Sequence, residues 1–181
     1  MLETILDITI DRVDCINAQK ILNYSTEEKS LRLDVFLKDG QRICYDLEME
    51  TSANKSRLSI LQIRSRLYSS AIDTEVYPRG THYSDVKQTY IIFICTHDPF
   101  GLGLAKYDSA VTCTQNQAVE VQNGISYVYL NCDAKTWNVS EDLRSLLSYI
   151  RDGTNCETDL TKQIDSAVRH YNEDKEWRNG L

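Results

Sequence analysis

Proline is nearly absent, at two residues, and glycine is sparse, at seven in a chain of 181. That scarcity excludes a collagen-like or low-complexity Pro/Gly-rich chain. Long apolar runs are also missing. The longest, Ile91 to Cys95 (IIFIC), falls far short of the roughly 20 residues a membrane-spanning helix needs, so no membrane partner is expected. The opening MLETILDITIDRVD carries acids where a secretory leader carries Lys or Arg, which makes a cytoplasmic location the expectation. The six cysteines include no Cys-x-x-Cys pair, and the three histidines show no ligand spacing. Reduced thiols are therefore expected, with no zinc site. A basic excess is lacking too: the net charge is −7, the opposite of an obvious nucleic-acid binder. A nuclease would have to gather its positive charge on one face.

What is present is ordinary for a globular protein: 41% hydrophobic and 26% charged residues. The length suits one compact domain with a real core. No internal repeat or linker interrupts it, so residues 1–181 read as a single domain.

The clearest pattern lies between residues 31 and 50. In LRLDVFL, Leu31, Leu33, Val35 and Leu37 alternate with Arg32, Asp34 and Phe36. In ICYDLEME, Ile43, Tyr45, Leu47 and Met49 alternate with Cys44, Asp46, Glu48 and Glu50. Lys38-Asp39-Gly40-Gln41 between them is a turn signal. The reading is a hairpin with one apolar and one acidic face. Opposed residues of an antiparallel pair share a face, so an odd-length loop centred on Gly40 is preferred. It sets Asp34 against Asp46, with Glu48 as the diagonal neighbour of Asp34, about 7–8 Å away at the backbone. Two carboxylates at that spacing can share one metal ion. Polar residues on the outer face of a hairpin are also what plain solvation produces.

Elsewhere the signals are shorter. Residues 2–13 read as a helix running into a strand, and a strand is expected around Ala18–Tyr24. Lys55 to about Val76 reads as a long helix that brings Arg57, Arg64 and Tyr68 near one another and stops at Tyr77-Pro78-Arg79-Gly80. Tyr90–Cys95 reads as a strand in the middle of a sheet. Asn123-Gly124 between two alternating runs predicts a hairpin over residues 117–130. Ser140 is expected to cap a helix over 141–151, with Gly153 at its C-terminus. A last amphipathic helix is expected from Asp159 to about Trp177.

Asp34, Glu48 and Glu50, followed by a helix bearing Arg64, Arg66 and Tyr68, form the one constellation suited to chemistry. Carboxylates on one sheet face are hard oxygen ligands of the kind Mg²⁺ takes. Such an ion polarises a phosphodiester and activates water. Arginines on the next helix suit a charged transition state.

The segment LRLDVFLKDGQRICYDLEME resembles the motif region of the PD-(D/E)XK nuclease family transposases, also called recombination-promoting nucleases. RSRLYSSAID, RGTHYSDV, YIIFICTHDPFGLGL and ISYVYLNC resemble further segments of that family in the same order, so the resemblance spans nearly the whole chain. It implies an α/β fold, a mixed central sheet flanked by helices around an α-β-β-β-α-β core. It also implies that Asp34 and Glu48 hold Mg²⁺ or Mn²⁺ together with the backbone carbonyl of Met49, and that Glu3 supplies a further, outer acid. Glu50 stands where many such nucleases carry Lys and this family often has Gln. Ser69 stands where the family often has Gln.

Two functions follow as expectations. One is a metal-dependent DNA endonuclease with catalytic Asp34, Glu48 and Glu50, contacting DNA through Arg57, Arg64, Arg66 and Tyr68. The alternative is a catalytically inactive nuclease fold that acts as a binding protein, inhibitor or regulator with a protein partner. Homo-oligomerisation is compatible with either.

Overall fold

A computed structural model describes residues 1–23, 30–54 and 59–173. Arg57 and the expected turn after Tyr24 lie outside those residues, as does the end of the last helix beyond Glu173. The main sheet has six strands in the order β1-β2-β3-β4-β8-β5. They are β1 (Val13–Asn23), β2 (Ser30–Asp39), β3 (Cys44–Glu50), β4 (Thr89–Cys95), β5 (Lys106–Ser109) and β8 (Ile125–Asn131). β1, β2 and β3 run antiparallel in sequence, β3, β4 and β8 are parallel, and β5 closes the far edge antiparallel to β8. A separate two-stranded sheet joins β6 (Thr112–Cys113) to β7 (Asn116–Glu120). The expected mixed α/β sheet flanked by helices is what the chain forms.

Helices cover both faces. On one, α1 (Leu2–Leu6) and α3 (Glu141–Asp152) pack with Tyr45, Leu47, Ile92, Ile94, Val128 and Leu130. On the other, α2 (Leu61–Val76) packs through Leu61, Tyr68, Ala71 and Ile72 onto Cys44, Ile91, Phe93, Cys95 and Tyr129. β4 is buried almost throughout, as expected of a strand in the middle of a parallel sheet. α4 (Asp159–Glu173) leans on α3, where Ser145 and Thr161 share a buried hydrogen bond of 3.0 Å. Ser140 caps α3 by accepting from the Leu143 N–H at 3.2 Å, and Gly153 ends it in the left-handed region at φ +69°.

Several expectations are corrected. The first helix stops at Leu6, because Asp7 turns left-handed (φ +54°), and β1 already begins at Val13. Asn123-Gly124 does not join a hairpin: β7 pairs with β6, whereas β8 pairs with β4 and β5. Gly124 alone takes a positive φ, and the tight hairpin turn expected of Asn-Gly needs both residues there.

The hairpin of β2 and β3 has the predicted parity but a different centre. Lys38 pairs with Cys44 and Val35 with Leu47, so the loop centres on Gln41 rather than Gly40. Asp39 causes the shift. Its carboxylate accepts from the N–H groups of Gln41 and Ile43, each at 2.9 Å, and from the Tyr45 hydroxyl at 2.8 Å. Arg42 (φ +68°), not Gly40, takes the left-handed position. Phe36 therefore faces Asp46, and continuing the register one step brings Asp34 to Glu48.

The four leucine and valine positions of β2 also divide. Val35 and Leu37 pack on the α1/α3 side, but Leu33 and Leu31 pack on the α2 side. The change falls at Asp34. Ala18 pairs with Val35 and Lys20 with Leu33, but the ladder skips Gln19 and Asp34, and Gln19 sits at φ +56°. The register is the same on both sides of the skipped pair, so the change is a local rotation where Gln19 meets Asp34 and not an inserted residue.

Candidate active site

The second strand of the hairpin lies inside the sheet, so its acidic face is not solvated surface. Asp46 is fully buried and Glu48 and Glu50 are 3% exposed, all three beneath α2. This overturns the outward-facing acidic surface that alternation alone predicts. Strand position decides the matter: both faces of β3 are covered, so polar residues of the alternating pattern are buried with the apolar ones.

The carboxylates are held in different ways. Asp34 and Glu48 exchange contacts across the strand pair. The Asp34 N–H donates to Glu48 Oε1 at 2.8 Å, and Asp34 Oδ2 accepts from the Met49 N–H at 3.1 Å. Glu50 Oε1 accepts from the Ser52 N–H at 2.9 Å, and its Oε2 lies 2.6 Å from Arg64 Nη1. Arg64 Nη2 is 3.6 Å from Glu48 Oε2 and donates to the Tyr68 hydroxyl at 3.2 Å. The same guanidinium lies over the Phe93 ring at 4.9 Å and the Tyr68 ring at 5.6 Å. One arginine thus bridges two buried acids and is itself braced by two aromatic rings.

Asp46 has no such support. Neither of its oxygens meets a strict hydrogen-bond geometry, although Glu48, two residues on along the same strand, lies close enough to share a proton with it. Burial, followed by the charges of Glu48 and Asp34, pushes its pKa up to about 9. Burial likewise raises Glu48 to about 7, although the Asp34 N–H, Arg64 and Tyr68 favour its ionised form. Asp46 is the member of this cluster that the sequence reading left out of its site. Its place two residues before Glu48 on the same strand was the available signal.

The other expected residues lie as follows. Arg64 and Tyr68 stand together at the acids, as helical spacing predicted. Arg66 points to solvent, and its carbonyl accepts from the Ser69 and Ser70 hydroxyls. Ser69 is 1% exposed and shares a hydrogen bond of 3.2 Å with the Tyr127 hydroxyl, so it fastens α2 to β8. Glu3 lies on α1, whose Leu2 and Ile5 pack against the sheet face opposite the acids, and its Oε1 accepts from the Ile10 N–H at 2.8 Å. Among the described residues, no three His, Cys, Asp or Glu groups converge in a ready-made metal site. The donor chemistry nonetheless suits a hard cation: carboxylate oxygens only, gathered in one buried cluster.

Asp98, beside Pro99, accepts from the N–H groups of Phe100 at 3.0 Å, Gly101 at 2.9 Å and Gly103 at 2.6 Å, and from the Tyr107 hydroxyl at 2.9 Å. It holds the loop after β4, the turn role that its place before Pro99 suggests.

An antiparallel hairpin feeding a parallel pair, with a buried Asp/Glu-x-Glu cluster under the following helix, defines a PD-(D/E)XK nuclease-like fold. The model of the PD-(D/E)XK nuclease family transposases matches residues 1–170, and the chain belongs to that family. No curated protein matches the chain.

Proposed function

We propose that the protein is a divalent-metal-dependent DNA endonuclease of the recombination-promoting type, with DNA as its partner. The observation that carries this reading is the buried cluster of Asp34, Asp46 and Glu48, in which burial and neighbouring acids push the Asp46 and Glu48 carboxyls up. Ionising these buried acids together is costly, and a cation among their oxygens offsets that cost. Asp34 and Glu48 would hold Mg²⁺ or Mn²⁺, with the Met49 carbonyl beside them. When bound, such an ion polarises a phosphodiester and makes water a better nucleophile at neutral pH. Glu50 cannot bring the positive charge that a lysine brings at its position. Arg64, fixed by Glu50 at 2.6 Å, puts a permanent positive charge next to the acids. There it favours the extra negative charge of the phosphoryl transition state. Tyr68 braces that guanidinium through ring and hydroxyl.

Plasmid nicking with Mg²⁺ or Mn²⁺ tests the reading, with Asp34→Ala and Glu48→Ala as controls. Nicking by the wild type that both variants lose is the expected result. No nicking, or equal nicking by all three, overturns it.

One observation favours the alternative of a nuclease fold that binds without cutting. Arg64 already acts as an internal counter-ion to Glu48 and Glu50. Calorimetric titration separates the two. Millimolar or tighter Mg²⁺ binding that Glu48→Ala abolishes supports the enzyme. Absent metal binding, together with a stably associated protein, supports the binding module.

A further inference from the structure

The strand register aligns one row of side chains across the α2 face of the sheet. Glu48 on β3 is level with Phe93 on β4, Phe93 with Tyr129 on β8, and Tyr129 with Tyr107 on β5. Residues level with one another point to the same face. The acidic site is at one end of this row. At the other end is a cavity of about 380 Å³, within the size range of small-ligand sites.

The cavity exists because α2 stops short of the sheet edge. Ser65 and Ser69 of α2 fasten to the hydroxyls of Tyr129 and Tyr127 on β8, at 2.9 and 3.2 Å. β5, one strand further out, is left uncovered by the helix. Phe100, from the loop that Asp98 organises, leans edge-on against Tyr107 at 4.9 Å and Tyr129 at 5.1 Å. The walls are therefore aromatic, with Gln62 of α2 and Ser109 of β5 at the rim. The tyrosine hydroxyls are engaged elsewhere, so rings are what the walls offer. Among the described residues the one charged wall residue is Asp108, which is negative and lies 3.2 Å from Lys106, so none of them offers a phosphate a cation on these walls. A flat, neutral heteroaromatic ring finds stacking surface and, in Gln62, an amide that both donates and accepts.

We propose that this cavity takes one unpaired nucleobase of the DNA strand whose phosphate lies at the acidic site. The inference rests on the DNA-endonuclease reading and adds the recognition element to it. Two to three strand spacings, about 10–14 Å, separate the cavity wall from Glu48 through the sheet, and because α2 covers Phe93 and Tyr129 between them the nucleic-acid strand passes around the helix and spans more than roughly three to four nucleotides. A paired base cannot enter, so the pocket selects single-stranded or locally opened DNA, from which a base can be turned out.

Fluorescence of 2-aminopurine, placed at successive positions of a single-stranded oligonucleotide, tests the proposal. Binding is followed in EDTA and, in parallel, in Ca²⁺. The expected result is one position whose emission changes sharply on binding. Ser109→Trp, at the exposed rim, should fill the cavity, abolish that change and weaken binding roughly ten-fold. Gln62→Ala should reduce the change. A melting curve for each variant confirms that it folds. Binding with no position-specific change, or a change that survives Ser109→Trp in a folded protein, overturns the base pocket and leaves the nuclease reading standing. No binding of the oligonucleotide in either buffer overturns the base pocket, and the nuclease reading falls with it only if plasmid nicking also fails.

Discussion

Arg64 of α2 and Glu50 of β3 form an ion pair of 2.6 Å between a side chain that is 21% exposed and one that is 3% exposed. Helix and sheet are thereby joined electrostatically at the point where the acids gather. The guanidinium lies against both Glu48 and Glu50, at 3.6 and 2.6 Å, within the buried acidic cluster.

The first prediction follows from that arrangement. Arg64→Ala removes the 2.6 Å ion pair to Glu50 and the 3.6 Å contact to Glu48, and breaking a buried pair from one side costs up to about 3–5 kcal/mol. Urea denaturation should show a loss of that order. Glu50→Gln should cost less, because the amide still accepts from Ser52 and Arg64 can turn to Glu48. Glu50→Lys sets two cations against each other and should cost more than Glu50→Gln. Equal midpoints for wild type and Arg64→Ala would show that the pair contributes nothing.

Gln19 provides a second prediction. It holds φ +56° in the middle of β1, where the ladder skips it and Asp34. The left-handed region costs a non-glycine residue about 1–2 kcal/mol, and a β-branched residue is worse there. Gln19→Gly should therefore match or exceed the wild type in stability, and Gln19→Val should lose about 1–2 kcal/mol or more. If Val forces the strand straight, Leu33 must leave its core and Asp34 its hydrogen bond to Met49. Thermal melting ranks the three proteins, and a wild-type-like Val variant would contradict the assignment.

Asp98 carries the third. It collects three backbone N–H bonds and one hydroxyl bond within one loop. Burial raises its pKa, but the N–H groups of Gly103 and Phe100, the Tyr107 hydroxyl and the Gly101 N–H outweigh that and hold it below the usual range. Hydrogen bonds to a charged group contribute about 1.5–3 kcal/mol. Asp98→Ala should lose at least one such increment and speed amide exchange in residues 100–104. Unchanged exchange there would show that the loop is held by something else.

How far these features were legible in the sequence depends on what each one rests on. Local chemistry was readable: the Ser140 cap, the Gly153 terminus, the buried run at Tyr90–Cys95, and Arg64 one helical turn from Tyr68. The pairing of Asp34 with Glu48 was nearly readable, because side-chain parity is fixed by alternation. The loop centre was not, because the side chain of Asp39 rather than the glycine organises the turn. The burial of Asp46 was invisible for a different reason. Alternation tells which residues share a face but not what covers that face, and only the parallel pairing of β3 with β4 puts α2 over the acids. The Asn123-Gly124 reading failed because a two-residue signal cannot tell whether its flanking strands will find other partners.

The final prediction concerns pH and divalent ions together. In the unfolded chain, Asp46 and Glu48 ionise near the ordinary carboxylate values of 3.8 and 4.5. In the folded protein they hold their protons to about 9 and about 7. Between those limits the native state binds more protons than the unfolded one. The contribution of these two groups to stability is then full below about pH 4 and is lost as pH rises through 7 and on towards 9. The slope for each carboxyl approaches about 1.4 kcal/mol per pH unit while its unfolded form is ionised and its native form is not. Asp98 and Asp152, whose values are lowered, are ionised in both states above pH 5 and do not oppose the trend there. In EDTA, the melting temperature should therefore drop steadily from pH 5 to pH 9. A divalent cation binds the ionised acids of the folded state, so Mg²⁺, Mn²⁺ or Ca²⁺ should raise the melting temperature, and more at pH 8 than at pH 6. Asp46→Asn removes one of the two shifted carboxyls, and it should flatten the EDTA profile while Glu48 still titrates. A melting temperature that is level across this range in EDTA and indifferent to divalent ions would mean that the buried acids are settled without a metal, and the catalytic reading would lose its physical basis.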